Sequence, residues 1–481
     1  MTWDLDTSGG EYRFKIDEVE KAFIGEYWSN LGDTYFVRAG SNLQELLEHL
    51  VNTERAGGTI FLGEGTHEIS WTASTVISEE IRIIGAAPNS TIIDFTADDA
   101  DCFFDFNAAC IIENVQFRGT GWSASGAPYI IRLGTSADRS VIRNCQFNEA
   151  TIGTAVIYLS SASDVEISGC YFASGPVSDS KYLIYISAGS HRFRILNNYD
   201  PSCTTGYFVY VPNSSTETND FEIKGNKIFG ASGSYDACRI YLGGATSLGG
   251  NGGVNRGVVE NNTLDITLSD PVTVLDIGGS NGSAYGDRGQ VRVANNHFKC
   301  EYASSSKWTN NTFLTRFNLA KILFTDNHYY CRYIGYVSAA GTSGLLEVGR
   351  YAHDMEISDN HLGAWDCRNG IWIQNDSANS PYRLKIVDNT ISALDHDGTG
   401  GGHGIYFENS GTHAGPQGFI IHGNIITASS SAEHTAVGSN RTTAGQRPNN
   451  GQIKNNNFDN LATIPTGEFE STVDIDGNKY F

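Results

Sequence analysis

Short runs of β-branched and aromatic residues, punctuated by Asn, Gly, Ser and Thr, follow one another along most of the chain. That pattern predicts strands, because helical repeats of similar length would carry Ala and Leu at 3.6 spacing. One phrase recurs within it: an aliphatic or aromatic residue, two further residues, then Asn. It reads Ile223-Lys-Gly-Asn226, Val259-Glu-Asn-Asn262, Val293-Ala-Asn-Asn296, Phe324-Thr-Asp-Asn327, Ile357-Ser-Asp-Asn360, Ile386-Val-Asp-Asn389, Ile421-His-Gly-Asn424, Ile453-Lys-Asn-Asn456 and Ile475-Asp-Gly-Asn478. Upstream it persists as Ile195-Leu-Asn-Asn198, and Val115, Cys145 and Cys170 stand in the Asn position of weaker copies. Twelve steps separate Val115 from Asn478, a mean period of about 30 residues. Self-similarity of this length argues for stacked units that bury a continuous core only together. An Asn at each bend tolerates the left-handed backbone conformation and can hydrogen-bond to the turn of the next unit, so the Asn row is expected to be structural.

Rungs of this kind resemble those of the right-handed parallel β-helix of the pectate-lyase-like superfamily, which includes bacteriophage tailspikes. The resemblance covers roughly residues 55 to 481, and Gly57-Gly-Thr-Ile-Phe-Leu-Gly-Glu-Gly-Thr-His-Glu-Ile69 is similar to the superfamily's first-coil signature. It implies an all-β, single-stranded parallel solenoid of about 13–14 coils over residues 57–481. It leaves function open, because that fold hosts lyases, hydrolases, epimerases and inert spikes. Ahead of the coils, residues 1–34 show no repeat and read as an attachment or contact segment. Residues 35–56 hold an amphipathic helix, with Ser41 and Gln44 in capping-box spacing and an apolar stripe of Leu43, Leu46, Leu47, Leu50 and Val51. Its expected place is over the open first coil.

Each unit also carries an earlier strand, such as Ala155-Val-Ile-Tyr-Leu-Ser160. Aligning these strands by strict alternation sets one outward position in register: Arg132, Tyr158, Tyr185, Tyr210, Tyr241, Asp276, Arg316, Tyr336, Trp372 and Tyr406. Seven of these ten are aromatic, which predicts a ladder of rings about 4.8 Å apart. Rings so placed suit the C–H faces of an extended glycan, and they equally suit packing between the subunits of a homotrimer. Tyr158, Tyr185, Tyr210, Tyr241, Arg316, Tyr336, Trp372 and Tyr406 are therefore the candidate substrate-binding residues. Long Gly-rich connections at 243–257, 278–290, 339–352 and 392–403 are placed to wall a groove beside them.

Charge narrows the partners. Lys and Arg number 32 against 54 Asp and Glu, a net charge of −22, which disfavours nucleic acid and anionic membranes. Nine cysteines, an odd number, with no CxxC or Cys/His ligand spacing, read as reduced core thiols. The N-terminus has no secretion signal pattern and no apolar run is long enough to span a membrane, so folding in a reducing cytoplasm and later release, as part of a virion tail, is the expectation. Other virion tail proteins would then be partners, and no cofactor is implied.

For glycoside hydrolysis two carboxyl groups are needed, and Glu408, two residues beyond Tyr406, lies near Asp376, four beyond Trp372, in the preceding coil. Asp395, His396 and Asp397 lie just before. Asp276 is the other candidate, with Arg239, Tyr241 and Arg316 as expected neighbours, either as an ion pair or as a lyase constellation. Gly402-His403-Gly404 is similar to the polygalacturonase Gly-His-Gly, without the acidic residues in the matching place. His297, His328 and His361 are expected to form a solvated outward row. The leading expectation is thus a tailspike-like protein that binds a host surface polysaccharide and cleaves it by hydrolysis. The alternatives are a non-catalytic receptor-binding spike and a polysaccharide lyase.

Overall fold

The computed structural model describes residues 14–16, 19–21, 23–24, 28–30, 34–40, 43–52, 57–70, 75–96, 102–119, 129–148, 154–173, 182–201, 206–232, 239–244, 253–268, 273–278, 290–302, 313–332, 344–349, 352–365, 369–375, 381–394, 402–409, 415–428, 435–440, 447–461 and 464–481. The chain forms two compact units, residues 1–201 and 202–481, and each is a right-handed parallel β-helix of the same construction. From Gly58 to Ser439 each coil contributes one strand to each of three parallel sheets. In the second unit one coil supplies Glu356–Ser358 to the first sheet, His361–Trp365 to the second and Asn369–Asn375 to the third. Its neighbours pair in register, as in Ile357 opposite Ile386 and Ile371 opposite Ile405.

The Asn row stands at the bend between the first and second sheets. Asn226, Asn262, Asn296, Asn327, Asn360, Asn389, Asn424 and Asn456 are buried. Each uses its whole carboxamide: Asn327 Nδ2 donates to Val293 O at 3.0 Å and to Asn360 Oδ1 at 2.9 Å, while its Oδ1 accepts from Asn296 N at 3.0 Å and Asn296 Nδ2 at 2.9 Å. The left-handed residue is the one before it. Asn261, Asn295, Asp326, Asp359, Asp388 and Asn455 have φ between 54° and 57°, and Gly225, Gly423 and Gly477 fill the same place with φ of 66° to 70°. The phrase therefore has two constrained positions where one was expected: an Asn, Asp or Gly that turns the chain, then the Asn that ties coil to coil. In the first unit Cys145 and Cys170 replace the buried Asn, and their thiols reach the carbonyls of Ile112 and Ile142 at 3.6 Å. All six cysteines among the described residues are free and buried.

The helix Leu43–Asn52 forms as expected, with Leu43, Leu46, Leu47 and Leu50 buried. Gln44 Oε1 accepts from Ser70 N at 2.9 Å, which fastens the helix to the coil; Ser41, its expected capping-box partner, lies outside the described residues. The first sheet already begins with Thr34–Val37, paired in parallel with Gly58–Leu62. At the far end the edge of the third sheet is met by the chain itself. Glu468 Oε2 accepts from Ser439 N at 2.6 Å, and the buried ring of Phe469 packs edge-on to Phe407.

Candidate glycan-binding face

Candidate function lies on the outward side of the third sheet. In the first unit the strands Cys102–Phe106, Tyr129–Leu133, Ala155–Leu159 and Tyr182–Ile186 place Asp105, Arg132, Tyr158 and Tyr185 in one register. Ile157 and Leu159 are buried on either side of the half-exposed Tyr158, so the ring points outward as alternation requires. Arg132 pairs with Asp105 at 2.8 Å; burial raises the Asp105 carboxyl above its ordinary pKa although Arg132 pulls it back.

Strict alternation missed a second outward position. The strands carry two buried residues in succession, so the residue three before the main column also faces out: Tyr129 precedes Arg132 and Tyr182 precedes Tyr185. Ala155, between them in register, has no ring, and Tyr158 stacks diagonally on Tyr129 with centroids 4.5 Å apart. Tyr158 meets Tyr185 at 5.1 Å, and Tyr185 meets Tyr182 at 5.1 Å, both edge to face. Four tyrosines thus form one continuous platform. Burial, then neighbouring tyrosines, push Tyr185 up to about 12.

In the second unit the same column reads Tyr210, Tyr241, Asp276, Arg316, Glu347, Trp372, Tyr406 and Gly438. Two expectations need correction. The rung between Arg316 and Trp372 is Glu347, where Tyr336 is expected from the sequence; Tyr336 itself lies outside the described residues. Trp372 holds its expected strand position yet is only 1% exposed, and Asp276 and Glu347 are 5% exposed. An outward strand position is not an exposed one here, because this stretch of the face is itself enclosed. Within it Arg316 bridges both carboxylates, Nε to Glu347 Oε2 at 2.7 Å and Nη1 to Asp276 Oδ2 at 3.6 Å. Burial works against the guanidinium's charge, and the two carboxylates outweigh it, so its pKa is raised.

Half-exposed rings flank this charged row. Tyr210 stacks on Tyr241 at 5.1 Å and Tyr207 meets both, at 4.9 and 6.1 Å. Burial first, and the Asp276 charge second, push Tyr241 up to about 12. At the other flank His403 occupies the second outward position and stacks on Tyr406 at 4.3 Å, so the Gly-His-Gly stretch contributes a ring to the aromatic surface.

Glu408 is half-buried and faces Gln374 across the rung; Asp376, Asp395, His396 and Asp397 lie outside the described residues, and with them the expected Asp376–Glu408 pair. His297, His328 and His361 do stand in register and exposed, on the second sheet, with His328 and His361 5.9 Å apart. Among the described residues no group of three or more His, Cys, Asp or Glu could hold a metal ion.

The parallel β-helix class follows from the coils themselves, and comparison with solved structures adds similarities at low identity. The chain is similar to the DFA-IIIase of Arthrobacter chlorophenolicus A6, at 14% identity over 74% of this chain and 89% of that one, with a TM-score of 0.46. It is also similar to the catalytic domain of a GH87 α-1,3-glucanase solved with nigerose, at 13% identity over 95% of this chain and 71% of that one, with a TM-score of 0.41. No family model matches the chain, and no curated protein does.

Proposed function

We propose that this chain is a tailspike-like β-helix that lays an extended, neutral surface polysaccharide along the outward face of its third sheet. The observation that carries the reading is the recurrence of half-exposed rings at one strand position in successive coils, widened by a second position three residues earlier. Such a row offers stacking faces at a constant spacing and phenol groups for sugar hydroxyls.

Hydrolysis belongs to the same proposal. Asp276 and Glu347 stand two rungs apart, about 9–10 Å between Cα atoms. That is of the order used by inverting glycoside hydrolases, about 6.5–9.5 Å between carboxyl groups. One observation favours the non-catalytic reading: a carboxylate ion-paired with a guanidinium is a poor proton donor, and Arg316 pairs with both. The same pairs count against a lyase, because Arg316 is already neutralised and offers no free cation to a uronate.

The test is incubation of the full chain with neutral bacterial capsular and exopolysaccharides, followed by sizing. Shortened chains without an unsaturated-uronate chromophore, lost in both Asp276→Asn and Glu347→Gln, are expected. Chains that are bound but stay intact would leave a receptor-binding spike. No binding by any of them would remove the proposal.

A further inference from the structure

A hollow lies away from the aromatic column, lined by residues of the first unit. It measures about 550 Å³, within the range of small-molecule sites. Pro88, Asn114, Asn144, Cys145, Gln146, Gly169 and Tyr171 line it. Its geometry follows from the winding. Asn114, Asn144 and Gly169 are the left-handed residues of three successive coils, with φ of 57°, 52° and 62°. Gln146 and Tyr171 stand opposite each other on the adjoining strands of the second sheet. The hollow therefore occupies the angle between a column of turns and the first outward row of that sheet. Gly169 keeps it open, since a Cβ there would lie 2.5 Å from Asn144 Oδ1.

The lining chemistry is specific. Asn114, Asn144, Gln146 and Tyr171 bring three carboxamides and one phenol to the lining, and among the described residues no charged side chain lines it. Burial raises the Cys145 thiol well above its ordinary pKa, so it too is neutral. A carboxamide presents one donor and one acceptor side by side, which matches a pair of neighbouring hydroxyls. The Tyr171 ring and Pro88 supply apolar faces for C–H groups. A nucleotide, an amino acid or a uronate would bring charge without a counter-charge.

We propose that this hollow binds a neutral sugar ring, as a site separate from the aromatic column on the third sheet. The site takes the ring by amide-to-hydroxyl hydrogen bonds from Asn114, Asn144 and Gln146, with the ring edge against Tyr171. It does not depend on the reading of the other face.

The test is saturation-transfer NMR on the full chain with D-glucose, D-galactose and N-acetyl-D-glucosamine, and with D-glucuronate as the charged comparison. At least one neutral sugar is expected to give a saturable signal stronger than glucuronate does. Gln146→Ala and Tyr171→Ala should each weaken it at least about fivefold. Asn144→Gly should do the same with the fold intact, because glycine accepts the left-handed conformation while losing the carboxamide. His361→Ala, exposed on the second sheet and outside both the hollow and the aromatic column, should leave it unchanged. The proposal is overturned if no neutral sugar saturates, if glucuronate binds as well, if the signal survives all three hollow variants, or if His361→Ala removes it.

Discussion

The buried Asn row and the outward column of the third sheet in residues 202–481 are both built from one residue per coil at the same spacing. Along the first, the side chain is the same in every coil from Asn226 to Asn478, and each carboxamide is saturated by its neighbours in the row and by a carbonyl of the preceding coil. Along the second, tyrosine, aspartate, arginine, glutamate, tryptophan and glycine succeed one another. Where the bonds run from copy to copy, as between Asn226 and Asn478, the residue type is held constant, and where Cys145 and Cys170 stand in the row their thiols turn to carbonyls instead. A position facing away from the stack is free to vary, so its departures from monotony are where recognition can be written. Damage to the Asn row should therefore appear in stability, and damage to the column in binding.

The sharpest way to break this division is Asn327→Ala. It orphans the buried donor Asn296 N and one of the two N–H groups of Asn296 Nδ2, the other keeping Val259 O, and leaves a void, which should cost about 3–5 kcal/mol in chemical denaturation. Glycan affinity of the remaining folded protein should hold. A loss of affinity without a loss of stability would reverse the assignment of the two columns.

Arg316 is the place where the column behaves like core. Arg316→Met removes the cation that pairs with two buried carboxylates, for a loss of about 3–5 kcal/mol at neutral pH. Without the cation, burial raises both carboxyl groups above their unfolded values. Their charged forms then penalise the fold at neutral pH, and the penalty fades as acidification protonates them. Denaturation midpoints of variant and parent should converge on lowering the pH. A deficit independent of pH would mean that packing, not charge, is what Arg316 supplies.

How much of this was legible follows from the same contrast. The Asn phrase could be read because each copy must satisfy identical bonds. Yet the residue before it, always Asn, Asp or Gly, looked variable until its positive φ gave the three types one cause. Tyr158, Tyr185, Tyr210 and Tyr241 were placed by alternation alone. Tyr129, Tyr182 and His403 were not, because two successive buried residues shift the count to three; the recurring Tyr-x-x-Tyr of Tyr182–Tyr185 and Tyr207–Tyr210 was the available signal. Glu347 was missed because both Tyr336 and Glu347 lie in apolar runs that fit one coil, and alternation cannot choose between them. The burial of Trp372 has no local signal, since it depends on what encloses the face and not on the strand.

Smaller effects separate the rings. Tyr185→Ala and Tyr406→Ala should each weaken polysaccharide binding about 5- to 30-fold by loss of one stacking face. Their thermal midpoints should move much less than that of Asn327→Ala. Trp372→Ala should do the opposite, with a large stability loss, because its ring is fully buried. Equal binding losses for all three would return Trp372 to the exposed ladder.

The mildest probe leaves every ring in place. Tyr185 and Tyr241 are both pushed up to about 12, chiefly by burial, from the ordinary value of about 10. A phenol whose folded pKa is raised favours the fold in its neutral form. That contribution is complete below about pH 10 and is lost as the pH rises through about 12. Absorbance titration should therefore show these two phenolates appearing after the exposed ones, together with alkaline unfolding. Tyr241→Phe keeps the ring stacked on Tyr210 but cannot ionise beside Asp276, so it should move the alkaline midpoint upward while leaving the neutral-pH midpoint nearly unchanged. If instead Tyr241→Phe unfolds at the same alkaline pH as the parent, the ring is more open to water than its neighbours imply, and the enclosed part of the column begins one rung later, at Asp276.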